Sequence, residues 1–356
     1  MANIFDKNTE RGILKDERFL YPDYVPERLP FRDSEIGELV FSLKPAATGK
    51  KPTNMFVYGK PGTGKTVSLK FVLNELTEYS DRAKCLYINC FETGTRHSIL
   101  AKATNFLGYA VPHRGLGSEE IYDRFVALLK NKKFIPILVF DEAEQLLRDE
   151  EAKKLLYDLS RLGEQKKVFL GVVFISNDEF FLSQLDDRVK SSLQASNLKF
   201  EQYSPPQLKE ILGERAKYAF FPNVLEEEVI PLCAAHSAKN GGDARIAIDV
   251  LLKAGRLAEK ENSAKVKVSH VRASFQQEKV IKQEISSNLS KQEQLIFDYI
   301  EDKEVDAGTV YKALEKKFAE RTLRKAISSL EDKKLISTKK VVKGRGFTRL
   351  IKKVTN

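Results

Sequence analysis

The 356-residue sequence predicts an α/β domain built on a parallel sheet, then an all-α domain, then a small winged-helix domain. Three observations carry this. Up to about Phe200, short apolar runs alternate with amphipathic segments, the pattern of strands buried between helices. From Pro205 to Ile285 only helical periodicity is visible. The last 70 residues then give three short helices and a pair of alternating strands. The expected boundaries are residues 1–200, 201–285 and 286–356.

Taken in order, residues 1–50 are irregular, with prolines at 22, 26, 30 and 45 and a helix expected over Asp33 to Leu43, capped by Asp33 or Ser34. Asn54 to Tyr58 reads as a buried strand leading through a glycine-rich turn into a helix that ends near Thr77. Ala83 to Cys90 is a second strand, and Thr95 to Leu107 and Ser118 to Leu129 are amphipathic helices. Ile135 to Phe140 and Val168 to Ile175 are fully apolar strands flanking a helix over Glu151 to Leu162. Helices are expected at Gln207 to Ala219, Glu226 to Ala238, Asp243 to Glu259 and His270 to Ile285. A polar linker follows at Ser286 to Ser290. The final helices are Gln292 to Ile300, Thr309 to Phe318 and Arg321 to Leu330. The strands Ile336 to Val342 and Phe347 to Lys353 are joined by Lys343-Gly344-Arg345-Gly346.

Charge and composition narrow the function classes. The net charge is +10, but the segment from Lys312 to the C-terminus holds 15 Lys/Arg against 4 Asp/Glu, and the preceding 311 residues are nearly balanced. A concentrated basic module with apolar periodicity indicates a polyanion partner rather than a solvated tail. No run of 18 apolar residues exists, so no membrane span is expected. The N-terminus lacks a signal pattern, and three cysteines and four scattered histidines fit a reduced cytoplasmic protein without a structural zinc site.

The first chemical motif is Gly59-Lys60-Pro61-Gly62-Thr63-Gly64-Lys65-Thr66. It matches G-x-x-x-x-G-K-[ST] between a strand and a helix, the context that defines a P-loop. Its glycines let backbone N–H groups curl around phosphate oxygens, and the helix N-terminus adds its positive end. Lys65 would neutralise the β and γ phosphates of ATP, and the Thr66 hydroxyl would complete Mg²⁺ coordination. Asp141 and Glu142 emerge at the end of the apolar strand Ile137 to Phe140. There Asp141 would hold Mg²⁺, directly or through water, and Glu142 would act as general base. Asn177, after the strand ending at Ile175, either orients the lytic water or caps the next turn. Arg245, in Gly242-Asp243-Ala244-Arg245, could reach the γ phosphate, while Asp243 reads as a helix N-cap.

With these motifs in this order the chain resembles the AAA+ ATPases, specifically the archaeal origin-recognition and cell-division-control type replication initiators. The resemblance covers nearly the whole chain. Tyr24 to Asp33 is similar to that family's adenine-binding segment, usually Y-x-P-x-x-L-P-x-R-E, with Asp33 in place of Glu. It implies that Tyr24, Val25 and Pro26 pack on the base. Val111 to Leu116 is similar to a stretch within the family's extra helical insertion, roughly residues 92–130, which touches DNA. Leu185 to Leu193 is similar to the segment carrying the arginine finger, with Arg188 at the matching position. Tyr203 to Leu212 and Gly242 to Arg245 are typical of the family's lid, with Tyr203 beside the nucleotide and Arg245 as second sensor.

The resemblance implies slow hydrolysis of ATP to ADP as a switch and a nucleoid-associated location. It also implies binding to double-stranded origin DNA, recruitment of the minichromosome-maintenance replicative helicase, and work alongside a paralogous initiator. The residues support a duplex-binding end independently. The helix at Glu320 to Leu330 places Leu323, Ile327 and Leu330 on one face and Arg321, Arg324, Lys325 and Ser328 on the other, suited to a major groove. Lys343, Arg345 and Arg349 of the wing would meet a minor groove or phosphates. A winged-helix P-loop ATPase serving as a DNA-binding regulator or signalling switch is the alternative reading.

Overall fold

The computed structural model describes residues 12–112, 115–275, 289–300, 305–315, 317–333, 335–343 and 346–353. The chain divides into two compact units, Met1–Val268 and Ser269–Asn356. In the first, the described residues form a parallel sheet of β1 (Met55–Gly59), β2 (Ala83–Asn89), β3 (Ile135–Asp141), β4 (Gly171–Ser176) and β5 (Ser196–Phe200), in the order β2-β3-β4-β1-β5.

Because side chains alternate across a strand, the apolar runs feed two cores. Phe56, Leu138, Phe140, Val172 and Phe174 point to one face. They pack against α3 (Arg96–Phe106), α4 (Ser118–Lys130), α5 (Glu150–Ser160) and α7 (Asp187–Leu193), with the short α6 (Leu162–Lys166) contributing Leu162. Met55, Val57, Ile137, Val139, Val173 and Ile175 point to the other, against α1 (Asp33–Ala47) and α2 (Lys65–Tyr79). This is why the central strands read as continuous apolar runs. β5 was not evident from periodicity, because only Phe200 of its five residues is fully buried. As an edge strand paired to β1, with Phe200 opposite Gly59, it brings the chain back to the base of the phosphate loop.

The helical region comprises α8 (Pro205–Ala219), α9 (Val229–Lys239) and α10 (Ala244–Lys260), and residues 268–275 are also helical. Three expectations need correction. The first helix runs on through Pro45 to Ala47 rather than stopping at Leu43. Proline in the last turn removes one N–H, and the carbonyl it would have served belongs to the exposed Phe41, where solvent can reach it. Neither Asp33 nor Ser34 caps that helix; the cap position is Arg32, whose side chain is engaged elsewhere. Helix α9 begins at Val229 instead of Glu226, because Leu225 bridges to Val266 and the Glu226 N–H donates to the Val266 carbonyl at 3.1 Å.

The N-terminal segment packs on these helices. Leu14 bridges Phe220, and the N–H groups of Ile13 and Leu14 both donate to Glu259 Oε1 at 2.9 Å. A 3-10 turn at Glu17–Leu20 follows, fixed by Arg256 Nε on Glu17 Oε2 at 2.9 Å.

The second unit has α11 (Lys291–Ile300), α12 (Ala307–Leu314) and α13 (Glu320–Asp332). Its antiparallel sheet is β6 (Val305–Asp306), β7 (Ile336–Lys343) and β8 (Gly346–Lys353), in the order β6-β8-β7. Ile296, Val310, Leu323, Ile327, Leu330 and Ile351 form its core. Three helices and a strand pair are present where periodicity led them to be expected. The expected helix end over 276–285 and most of the linker, together with His113 and Arg114 of the insertion stretch, lie outside the described residues.

Glu293 is buried in this unit. It forms a capping box with Ser290, with the Ser290 N–H donating to Oε2 at 2.7 Å, and its Oε1 accepts from Ser329 Oγ at 2.6 Å and Lys333 Nζ at 2.7 Å. Burial opposes ionisation, but the Lys333, Ser329 and Ser290 bonds outweigh it and bring the carboxyl down to about 2. A depressed carboxyl contributes stability above its unfolded value, lost as pH falls from about 4.5 toward 2. The expected outcome for Glu293→Gln in the full chain is a destabilisation of about 1–3 kcal/mol at pH 7. Thermal unfolding should show that difference shrinking at pH 3.

Candidate functional site

A cleft of about 600 Å³ opens where the C-terminal ends of the parallel strands meet the helical region. Open parallel sheets bind ligands at this edge. The phosphate loop crosses it between β1 and α2. Gly62 and Gly64 hold φ values of 71° and 90°, the left-handed region open to glycine, and Gly64 is the cap position of α2. Among the described residues no side chain caps that helix, so its first N–H groups remain available to phosphate oxygens.

Lys65 is buried. Its Nζ donates to the carbonyls of Gly59 at 2.7 Å and Lys60 at 2.8 Å, and to Asn177 Oδ1 at 3.0 Å. Burial first, and the nearby Arg245 charge second, lower its pKa to about 8. Thr66 Oγ1 donates to Asp141 Oδ2 at 3.0 Å, placing a hydroxyl and a carboxylate side by side as hard oxygen donors, the kind Mg²⁺ prefers. Tyr87 also donates its hydroxyl to Asp141 Oδ2. Burial raises the pKa of Asp141, and burial together with the charges of Asp141 and Glu144 raises that of Glu142. Glu142 sits at φ 54°, a left-handed conformation costing a non-glycine residue about 1–2 kcal/mol.

Asn177 and Ser176 follow β4. Ser176 Oγ donates to Glu144 Oε2 at 2.6 Å, which fixes the strand end beside the loop. From the helical side, Arg245 lines the cleft with its guanidinium forked on Asp243, Nε to Oδ1 at 3.1 Å and Nη2 to Oδ2 at 2.9 Å. Asp243 also N-caps α10, accepting from the Arg245 N–H at 2.9 Å.

The remaining wall is aromatic. Tyr24, Val25 and Pro26 line the cleft together with Tyr218 and Ile248. Phe19 stacks on Tyr218 and meets Tyr24 edge-on, at centroid distances of 5.2 and 4.8 Å. Arg215 of α8 fixes this wall: Nη1 donates to the Phe19 carbonyl at 2.9 Å and Nη2 to the Tyr24 carbonyl at 3.3 Å, and its guanidinium lies 4.7 Å from the Tyr24 ring centroid.

Of the residues singled out by sequence, Tyr24, Val25, Pro26, Pro61 to Thr66, Asp141, Glu142, Asn177, Tyr203 and Arg245 all border this cleft. Gly59 lies behind it and serves through its carbonyl. Arg188 is exposed on α7 and is not among the residues bordering the cleft. In the second unit, Arg321, Arg324, Lys325 and Ser328 are exposed on α13, opposite the buried Leu323, Ile327 and Leu330. Arg324 is held by Glu320, with Nη2 to Oε1 at 2.6 Å. Arg349 is exposed on β8; Arg345 and the Lys343 side chain lie outside the described residues.

Sequence reasoning missed four contributors: Tyr87, Glu144, Arg215 and Arg32. Arg32 is buried and joins three segments: Nε donates to the Thr63 carbonyl and to the Tyr203 hydroxyl, both at 3.0 Å, and Nη2 to the Glu201 carbonyl at 2.6 Å. Glu35 balances its charge, with Nη1 to Oε1 at 2.5 Å, and the Tyr203 ring lies 4.1 Å from the guanidinium. Arg32 is the R of the segment compared with Y-x-P-x-x-L-P-x-R-E, but no role was read for it. Removing it leaves several buried acceptors unpaired. Arg32→Ala should therefore destabilise the first unit by about 3–5 kcal/mol and weaken ADP binding, while Arg32→Lys should recover only part. Chemical denaturation and ADP titration of both variants measure this.

Comparison with known proteins agrees with this architecture. Residues 48–181 match the AAA domain, and residues 209–276 match the Cdc6 AAA+ ATPase-type lid domain. The chain is 37% identical to an ORC1-type DNA replication protein of Pyrococcus abyssi, over 96% of this chain and 87% of that one. It is 40% identical to ORC1-type DNA replication protein 1 of Sulfurisphaera tokodaii, over 75% of this chain and 68% of that one. Among solved structures it resembles the Aeropyrum pernix ORC1 protein in complex with DNA, with a TM-score of 0.76 and 32% identity over 98% of this chain and 95% of that one. Cdc6p of Pyrobaculum aerophilum shares the fold at 22% identity, with a TM-score of 0.68 over 96% and 95% of the two chains. A nucleotide cleft shared by a parallel-sheet domain and a lid of the Cdc6 type, with homology along the length of the chain, leads to one assignment: the chain belongs to the archaeal ORC1-type DNA replication proteins, which are AAA+ ATPases.

Proposed function

We propose that this chain is an ATP-switched initiator that grips origin duplex DNA, recruits the minichromosome-maintenance helicase and works beside a paralogous initiator. The observation carrying this reading is that Lys65, Asp141, Glu142 and Asn177 from the sheet share one cleft with Arg245 and the Tyr24 wall from the lid side. A nucleotide bound there touches both parts, so the presence of its γ phosphate can set the angle between them.

The residues divide the chemistry as follows. The loop N–H groups and Lys65 neutralise phosphate oxygens, with Lys65 exchanging its carbonyl partners for phosphate. Thr66 and Asp141 would hold Mg²⁺, which would supply charge screening for the phosphates. Glu142, its proton affinity raised by burial, takes a proton from the attacking water, and Asn177 aims that water at phosphorus. Tyr24, Val25 and Pro26 pack on the adenine. Arg188, exposed and not bordering its own cleft, suits a finger offered to a neighbouring protomer. Slow turnover fits a switch, because the state of the nucleotide matters more than its flux.

The exposed cationic face of α13 supports duplex binding. A good bidentate arginine–guanine contact contributes about 1–3 kcal/mol of discrimination, and the lysines set the salt slope. A regulator that binds DNA without a working ATPase is disfavoured because the hydrolytic residues all converge on one cleft.

Three experiments test the reading. Lys65→Ala should lose nucleotide affinity by about two orders of magnitude yet keep most duplex binding, and Arg324→Ala with Arg345→Ala should do the reverse. Equal loss of both activities in both variants contradicts the division of labour. Glu142→Gln should bind ATP normally while hydrolysis drops about a hundredfold or more in single-turnover assays; unchanged hydrolysis would remove Glu142 as base. Chromatin mapping in the source cell should show enrichment at replication start sites, and a promoter-only pattern argues for the regulator.

A further inference from the structure

Asp243 occupies a place that helix capping alone does not require. Its carboxylate accepts the Arg245 N–H at 2.9 Å, as an N-cap should, but it also takes the Arg245 guanidinium in a fork at 3.1 and 2.9 Å. Its side chain is only 15% exposed, against 57% for Arg245. It is also pressed against the phosphate loop: a side-chain carbon at Gly62 would overlap the Asp243 carboxylate, and the Ala244 N–H donates to the Gly62 carbonyl at 3.2 Å. The carboxylate therefore lies between the loop that cradles phosphates and the arginine that faces the cleft from the lid side. The charges of Asp243 and Arg245 both reach Lys65, with opposite sign.

We propose that Asp243 is a specificity-determining positioning residue: it competes with the γ phosphate for Arg245 and so sets how strongly the protein prefers ATP over ADP. This rests on the reading that the γ phosphate lies toward Arg245. The β phosphate is held by the loop and Lys65 whichever nucleotide is bound, so Asp243 acts mainly on the extra phosphate of ATP. To engage it, Arg245 must leave a carboxylate two residues away on its own helix. A weakened preference keeps the switch responsive, because ADP is then able to persist after hydrolysis.

Asn and Asp cap helices about equally well, so Asp243→Asn keeps the cap and removes the charge. Equilibrium titration of the full chain with ADP and with a non-hydrolysable ATP analogue gives the ratio of the two affinities. The expected result is a rise of about two- to fivefold in the ATP:ADP preference, the scale of a partly exposed ion pair. In an Arg245→Ala background the same substitution should leave the ratio unchanged, closing a double-mutant cycle. A ratio unmoved by Asp243→Asn overturns the proposal, and so does a shift that persists without Arg245. Normal ADP binding in Asp243→Asn shows that the cleft is intact. If the native protein bound neither nucleotide, the nucleotide reading itself would fail, a distinguishable outcome.

Discussion

The phosphate loop has no room to spare on its lid side, and the rest of the site depends on that crowding. A β-carbon at Gly62 would collide with Asp243, and one at Gly64 would come within 2.7 Å of the Tyr203 hydroxyl. The loop is therefore in van der Waals contact with residues leading into both α8 and α10. Two glycines serve two needs at once: backbone freedom for the phosphate cradle, and absence of bulk where the lid closes on it. Close-packed contacts of this kind transmit displacement rather than absorb it. A shift of the loop would thus reach the lid without an intervening linker.

Arg32 reinforces the same junction from below. Its planar guanidinium ties the Thr63 carbonyl of the loop, the Glu201 carbonyl after β5 and the Tyr203 ring into one cluster. Beyond it, the N-terminal segment changes allegiance: residues 13–24 bond to α8 and α10 rather than to the sheet. The short stretch Val25 to Phe31, stiffened by Pro26 and Pro30, is the span between these anchorages. The aromatic wall and the phosphate loop are accordingly carried by different parts of the first unit.

Much of this was legible in the sequence. The P-loop, Asp141-Glu142, Asn177 and Arg245 are short patterns whose spacing follows from strand ends and helix starts, and residues from each border one cleft. The basic and apolar faces of α13 follow from helical periodicity alone. What escaped reading depends on partners distant in the chain. Tyr87 reaches Asp141 only through the β2–β3 register, and Arg215 binds carbonyls about 190 residues away. β5 is an edge strand with one fully buried residue, too little for a periodic signal. The start of α9 was misjudged because a two-residue bridge to Val266 took backbone that propensity had assigned to helix.

Helix α10 has 17 residues, about 25 Å of rigid rod. At its first turn sits Arg245; at its last, Glu259 holds two successive amides of Ile13 and Leu14. One beam thus carries a grip on the phosphate side at one end and a clasp on the N-terminal segment at the other. Tilting such a beam about its middle, at the tight contact of Gly255 with Phe220, moves the two ends in opposite directions. The chemistry of a single phosphate would then be reported as a displacement at the opposite edge of the lid.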